Sequence, residues 1–149
     1  MKKITILIIA FSITVFAQGQ QRFSKEQKEL QQTVVNMFEA LSNRDSMALK
    51  SYCFPDVTFY EYGQIWNIDT LIRKAITMNQ SADFKRINTF EFINVETGKT
   101  KAWLTYRLSS VIIKDSRETV IQWLETVVLA IQEKQWKVKH LHSTLIKRS

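Results

Sequence analysis

"WLETVVLAIQEKQWKVKHLHST", residues 123–144, is the stretch on which the fold turns. Two runs of alternating character meet at Glu133 and Lys134, and that pattern predicts two long antiparallel strands joined by a two-residue hairpin. With those two residues at the turn, Gln132 faces Gln135, Ile131 faces Trp136 and Leu129 faces Val138. Continued without interruption, the same register sets Val127 against His140 and Glu125 against His142. His140 and His142 are the only histidines of the 149-residue chain.

Two further runs precede this hairpin, "FKRINTFEFINVE" (84–96) and "TKAWLTYRLSSVIIK" (100–114), so four consecutive antiparallel strands are expected. A loop at Asp115, Ser116 and Arg117 pairs Lys114 with Glu118, an opposite-charge match, and brings Arg107 opposite Glu125 and Trp103 opposite Leu129. A turn at Thr97 and Gly98 sets Phe92 against Trp103 and Phe90 against Thr105. One sheet face then carries Phe90, Phe92, Trp103, Val127 and Leu129, and continues into a polar row of Arg107, Glu125 and His142.

Upstream the period is helical. Ser24 with Gln27 three residues on is a capping-box pattern, and Leu30, Val34, Met37, Phe38 and Leu41 recur on one face. A short helix is expected from Asp45 or Ser46 to the residue before Pro55. "VTFYEYG" and "QIWN" read as a strand pair around Gly63, and a third helix follows Asp69 as its cap, burying Leu71, Ile72, Ala75 and Ile76. Three helices followed by a meander imply an α+β domain with helices on one face of the sheet.

The size and the 45% hydrophobic content suit one globular domain. Lys2 and Lys3, an apolar run from Ile4 to Phe16, and Val15 and Ala17 as small cleavage-site residues read as a secretory signal peptide over 1–17. Residues 18–23 are expected to be a disordered lead and 24–149 the folded domain, secreted or periplasmic after cleavage near Ala17 and without a stable membrane anchor. The net charge of +7 is scattered, with no basic block that would mark a nucleic-acid partner. Cys53 is the only cysteine, which excludes an intrachain disulfide, and it is expected in the core.

The order helix, helix, strand pair, helix, four-stranded meander resembles the nuclear transport factor 2-like superfamily. The ending at 123–144 is similar to its SnoaL-like branch, in which a Trp-Glu-Thr strand leads through a hairpin into "WKVKHLHS". The resemblance implies a cone, with three helices closing one side of a strongly curved antiparallel sheet around a pocket, and a homodimer through the outer sheet face. Such folds include ketosteroid isomerases, polyketide cyclases, dehydratases and binding proteins, so it leaves the activity open. In the isomerases the base is a carboxylate on an early strand; only Glu61 stands there, and alternation alone leaves its face open.

Three functions remain in view. The first is binding of a small, largely apolar molecule, with Trp103, Trp123, His140, Phe90, Tyr60, Tyr62 and Trp66 as the candidate ligand-binding residues and Trp123 as the more exposed of the two strand tryptophans. The second is an isomerase, cyclase or dehydratase, with His142 moving a proton while Glu125 and Arg107 orient and charge it. The third is a dimerisation module whose pocket has collapsed. No metal or cofactor is expected.

Overall fold

The computed structural model describes residues 23–149; the expected leader and residues 18–22 lie outside the described residues. Helix α1 spans Lys25–Ser42. Its start is the capping box: Gln27 N–H donates to Ser24 Oγ at 3.2 Å while Ser24 N–H donates to Gln27 Oε1 at 2.8 Å. Leu30, Val34, Met37, Phe38 and Leu41 are buried as the spacing predicts. Burial of each such side chain contributes on the order of 2 kcal/mol.

Helix α2, Ser46–Ser51, is capped by Asp45, which accepts from Ala48 N–H at 2.9 Å. It ends before the expected point, because Cys53 already opens strand β1 (Cys53–Glu61) and Pro55 lies inside that strand. An extended conformation is what a proline imposes on the residue before it. Cys53 is 2% exposed, and burial pushes its thiol up to about 12 against the pull of Lys137. Strand β2, Gln64–Trp66, folds back on β1 at Tyr62 and Gly63, both at positive φ. Helix α3, Ile68–Ile72, starts at Asn67, whose Oδ1 accepts from Thr70 N–H at 2.8 Å. Asp69, the expected cap, lies in the first turn and pairs with Lys50 at 3.0 Å. A π-helical turn, Arg73–Thr77, extends α3. Among the described residues no helix is long and apolar enough to cross a membrane.

The four long strands are β3 (Lys85–Thr97), β4 (Lys101–Lys114), β5 (Arg117–Gln132) and β6 (Gln135–Arg148). The sheet order is β2-β1-β6-β5-β4-β3. The sheet is mixed rather than wholly antiparallel, since β1 runs parallel to β6.

Register is where the sequence reading and the structure part. The turn at Glu133 and Lys134 stands, and Gln132↔Gln135, Ile131↔Trp136 and Leu129↔Val138 pair as expected. Beyond Val138 one extra residue, Lys139, is accommodated as a β-bulge, so Val128 faces His140, Val127 faces Leu141 and Glu125 faces Ser143. The bulge keeps Leu141 on the inner face and turns both histidines outward. Lys139 reaches Asp56 and lies 5.0 Å from the Phe54 ring centroid. At the preceding hairpin the turn is Asp115 and Ser116 alone, at φ 53° and 59°. This geometry suits a two-residue hairpin, and it pairs Lys114 with Arg117 and Tyr106 with Glu125. That shift of one residue moves Trp103 and Arg107 to the outer face. The first hairpin is also offset: Thr97 faces Ala102, and a bulge at Ile93 precedes the pairs Phe92↔Tyr106 and Phe90↔Leu108.

The core lies between α1 and the inner sheet face. Phe38 meets Phe90 edge-on at 5.5 Å and Tyr106 at 6.4 Å, and Phe90 stacks on Phe92 at 5.7 Å.

Candidate functional site

Between the inner sheet face and the helices lies a cavity of about 370 Å³. Met37, Phe38 and Leu41 of α1 wall one side, Phe59, Trp123 and Leu141 of the sheet wall another, and Leu71 and Ala75 close the third. Alternation along β1 puts Val57, Phe59 and therefore Glu61 inward, and the bulge in β6 puts Leu141 and Ser143 inward beside them.

The polar end of the cavity is built on Glu61, Ser143 and Glu125. Ser143 Oγ lies 2.6 Å from Glu61 Oε1 and 2.6 Å from Glu125 Oε1. A hydroxyl has one hydrogen to donate. It satisfies one carboxylate, and the second contact is favourable only when the other carboxyl carries a proton and donates it to Oγ. Burial is the main cause that pushes the Glu125 carboxyl up to about 7; the charge of Glu61 adds to it, while the Ser143 hydrogen bond, the dipole of the nearby Tyr106 hydroxyl and the charge of Arg86 oppose it. Glu61 is raised too, again chiefly by burial. With Ser143 between them the two carboxyls hold one proton in common, as close carboxyls do when both cannot ionise.

Arg86 supplies the compensating charge. Its Nε donates to Asn88 Oδ1 at 2.9 Å and its Nη2 to Ser110 Oγ at 3.2 Å, and Asn88 in turn donates to Ser42 Oγ of α1 at 2.8 Å. The guanidinium lies 5.4 Å from the Phe38 ring and 5.8 Å from the Trp123 ring. One ionised carboxyl, one protonated carboxyl and Arg86 leave the buried end neutral. Three buried polar atoms there lack a hydrogen bond of ordinary geometry: Trp123 Nε1, Tyr106 Oη and Glu125 Oε2.

Of the residues singled out from the sequence, Glu125, Trp123, Tyr62 and Trp66 line the cavity. Trp123 is 7% exposed and Trp103 51%, the reverse of the expected order. Arg107 is on the outer face, paired with Glu91 at 3.3 Å. His142 is exposed on that face, and His140 is half-buried there with Nδ1 2.8 Å from Thr58 Oγ1. Tyr60 packs its ring against both, at 4.8 and 5.9 Å. Phe90 belongs to the aromatic core and not to the cavity wall. The row of Arg107, Glu125 and His142 is therefore not assembled. Glu61, Ser143, Arg86 and Tyr106 take its place, and the uneven spacing of Val138 and Leu141 was the signal that could have located Ser143. Among the described residues no three His, Cys, Asp or Glu side chains are grouped to hold a metal ion.

A helix-covered, bent mixed sheet around a cavity with a polar end defines the cone class of α+β domains. The SnoaL-like domain family matches over residues 30–146, and the chain belongs to it. No curated protein matches it by sequence. Solved structures share the fold at low identity. A ketosteroid isomerase-like protein from Erwinia carotovora atroseptica superposes with a TM-score of 0.67 at 14% identity, over 84% of this chain and 99% of that one. An NTF2-like protein from Cytophaga hutchinsonii gives 0.68 at 12%, over 83% and 100%. The CamKII hub homology domain of Chlamydamonas reinhardtii gives 0.72 at 19%, over 82% and 99%.

Proposed function

We propose that this domain binds a small, largely apolar molecule in the cavity, with the molecule's polar atom set against Glu125 and Trp123. The observation that carries this reading is two unpartnered buried polar atoms, Trp123 Nε1 and Glu125 Oε2, on the wall of a cavity that Met37, Phe38, Leu41, Phe59, Leu71 and Leu141 also line. Leaving such atoms unpaired costs roughly 1–3 kcal/mol each, and a ligand oxygen would remove that cost. The open cavity weighs against the collapsed-pocket module. The test is a thermal-shift screen of residues 18–149 against steroids, polyketides, fatty acids and small aromatic acids. A ligand that raises the melting point of the wild type and not of Glu125→Gln is the expected result; no shift with any compound would sink the reading.

A second reading, turnover, is favoured by the Ser143 bridge. A carboxyl pair sharing one proton can take a proton from one position of a bound molecule and return it at another, as isomerase, cyclase or dehydratase chemistry requires. In this reading Glu125 and Glu61 replace His142 as the proton-carrying groups. Proton–deuterium exchange into a bound ketone, lost in Glu61→Gln with binding retained, is the expected signature.

Two further parts of the reading concern where the domain works. Lys2, Lys3 and the following apolar run support export with cleavage near Ala17. Exposed Trp103, Leu124 and Ile146 support a homodimer through the outer sheet face.

A further inference from the structure

We propose that the molecule held in the cavity is an organic anion, its apolar body between the aromatic walls and its carboxylate or phosphate group at the mouth, on Lys74 and Arg148. The inference rests on the binding reading above and adds the chemical class of the ligand.

The mouth is organised around an aromatic pair. The rings of Tyr62 and Trp66 lie 6.2 Å apart on the cavity edge. Lys74 Nζ stands 5.0 Å from the Trp66 ring centroid. On the other side the Arg148 guanidinium stands 5.9 Å from the Tyr62 ring and donates from Nη2 to Tyr62 Oη at 2.8 Å. Two cations thus bracket one aromatic edge, each held in place by a ring rather than by an acid. Neither forms an ion pair among the described residues, whereas Lys50, Lys139 and Arg107 elsewhere on the surface each face a carboxylate. An adjoining recess shares Arg148 with the cavity and adds Lys114 and Arg117, against Asp115 as its one acid.

The inner end fixes the orientation. Glu61 and Glu125 surround the Ser143 hydroxyl and already use the charge of Arg86, so a second anion placed there would face two carboxyls in a dry site. An anionic group is accommodated instead at the exposed, basic rim. A ligand that is apolar in its middle and anionic at one terminus matches the gradient from a neutral interior to a positive rim. The arginine offers paired N–H donors to a carboxylate or a phosphate alike.

The experiment compares 2-naphthoate, 2-naphthyl phosphate and the neutral 2-naphthamide by quenching of tryptophan emission, on the wild type and on Lys74→Gln/Arg148→Gln. Both substituted side chains are at the rim, and an unchanged melting point certifies the fold; the single variants serve if the double variant is unstable. The expected result is that an anionic probe binds about tenfold tighter than the amide, that the margin shrinks in high salt, and that the double variant abolishes the margin while leaving amide binding in place. The ratio of naphthoate to naphthyl phosphate then assigns the anionic group. Amide binding as tight as that of either anion, or a margin unaffected by the double variant, overturns the anion and leaves the cavity reading standing. No binding of any probe, together with no hit in the thermal screen, overturns both.

Discussion

Ser143 is the residue on which the chemistry of the site hinges, because a single hydroxyl stands between two carboxyls that burial has made reluctant to ionise. The linkage has a definite sign. Glu125 in the folded state is raised to about 7, above the ordinary 4.5. Between those values the folded chain holds a proton that the unfolded chain has released, so stability falls as pH rises through this window. Glu61, raised for the same cause, acts in the same direction. The loss attributable to Glu125 is about 3 kcal/mol by pH 8. Urea unfolding at pH 5 and pH 8 checks this: the wild type should be more stable at pH 5, and Glu125→Gln, which carries no proton to lose, should show a flatter profile and exceed the wild type at pH 8. A wild-type profile that rises over that window would contradict the buried, proton-sharing pair.

At the scale of elements, the decisive feature is the extra residue in β6. In "WKVKHLHS" no glycine, proline or other breaker marks Lys139 as unpaired; only the odd interval between Val138 and Leu141, both buried, records the bulge. In β4 the opposite-charge match of Lys114 with Glu118 pointed to a longer loop, while the run Ala102, Leu104, Tyr106, Leu108 already showed the inward face. Packing of apolar side chains outweighs one exposed ion pair, which is worth at most about 1 kcal/mol. Helix α1 was legible to its cap because local hydrogen bonds and a single periodicity define it, and the Glu133–Lys134 hairpin because its turn admits one register. The site was not, since it depends on two strands having the right parity together.

The register is testable by substitution. Leu141→Ala should cost about 2–5 kcal/mol and His142→Ala no more than about 0.5 kcal/mol, measured by denaturant unfolding, because the bulge buries the first and exposes the second. A larger cost at His142 than at Leu141 would argue for an unbulged strand. Ser116 sits at φ 59° in the β4–β5 turn and uses its N–H, not its side chain, to bind Asp83. Ser116→Gly should therefore raise stability by about 0.5–1 kcal/mol in the same assay.

For the molecule as a whole, the two sheet faces divide the work. The inner face meets the helices and holds the cavity; the outer face presents Trp103, Leu124 and Ile146 beside His140 and His142. If that face joins two copies, Trp103→Lys should give a monomer in sedimentation velocity where the wild type gives a dimer, with little change in the melting point of the monomer itself. Wild-type protein that sediments as a monomer at high concentration would remove the dimer from the account.

Cys53 carries a last consequence. Sealed at the start of β1, it meets no reagent while the domain is closed, yet the chain has no second thiol to confuse the readout. Alkylation over time thus becomes a clock for the opening of the strand beside Val138, and a tight occupant of the cone should slow that clock without touching the thiol.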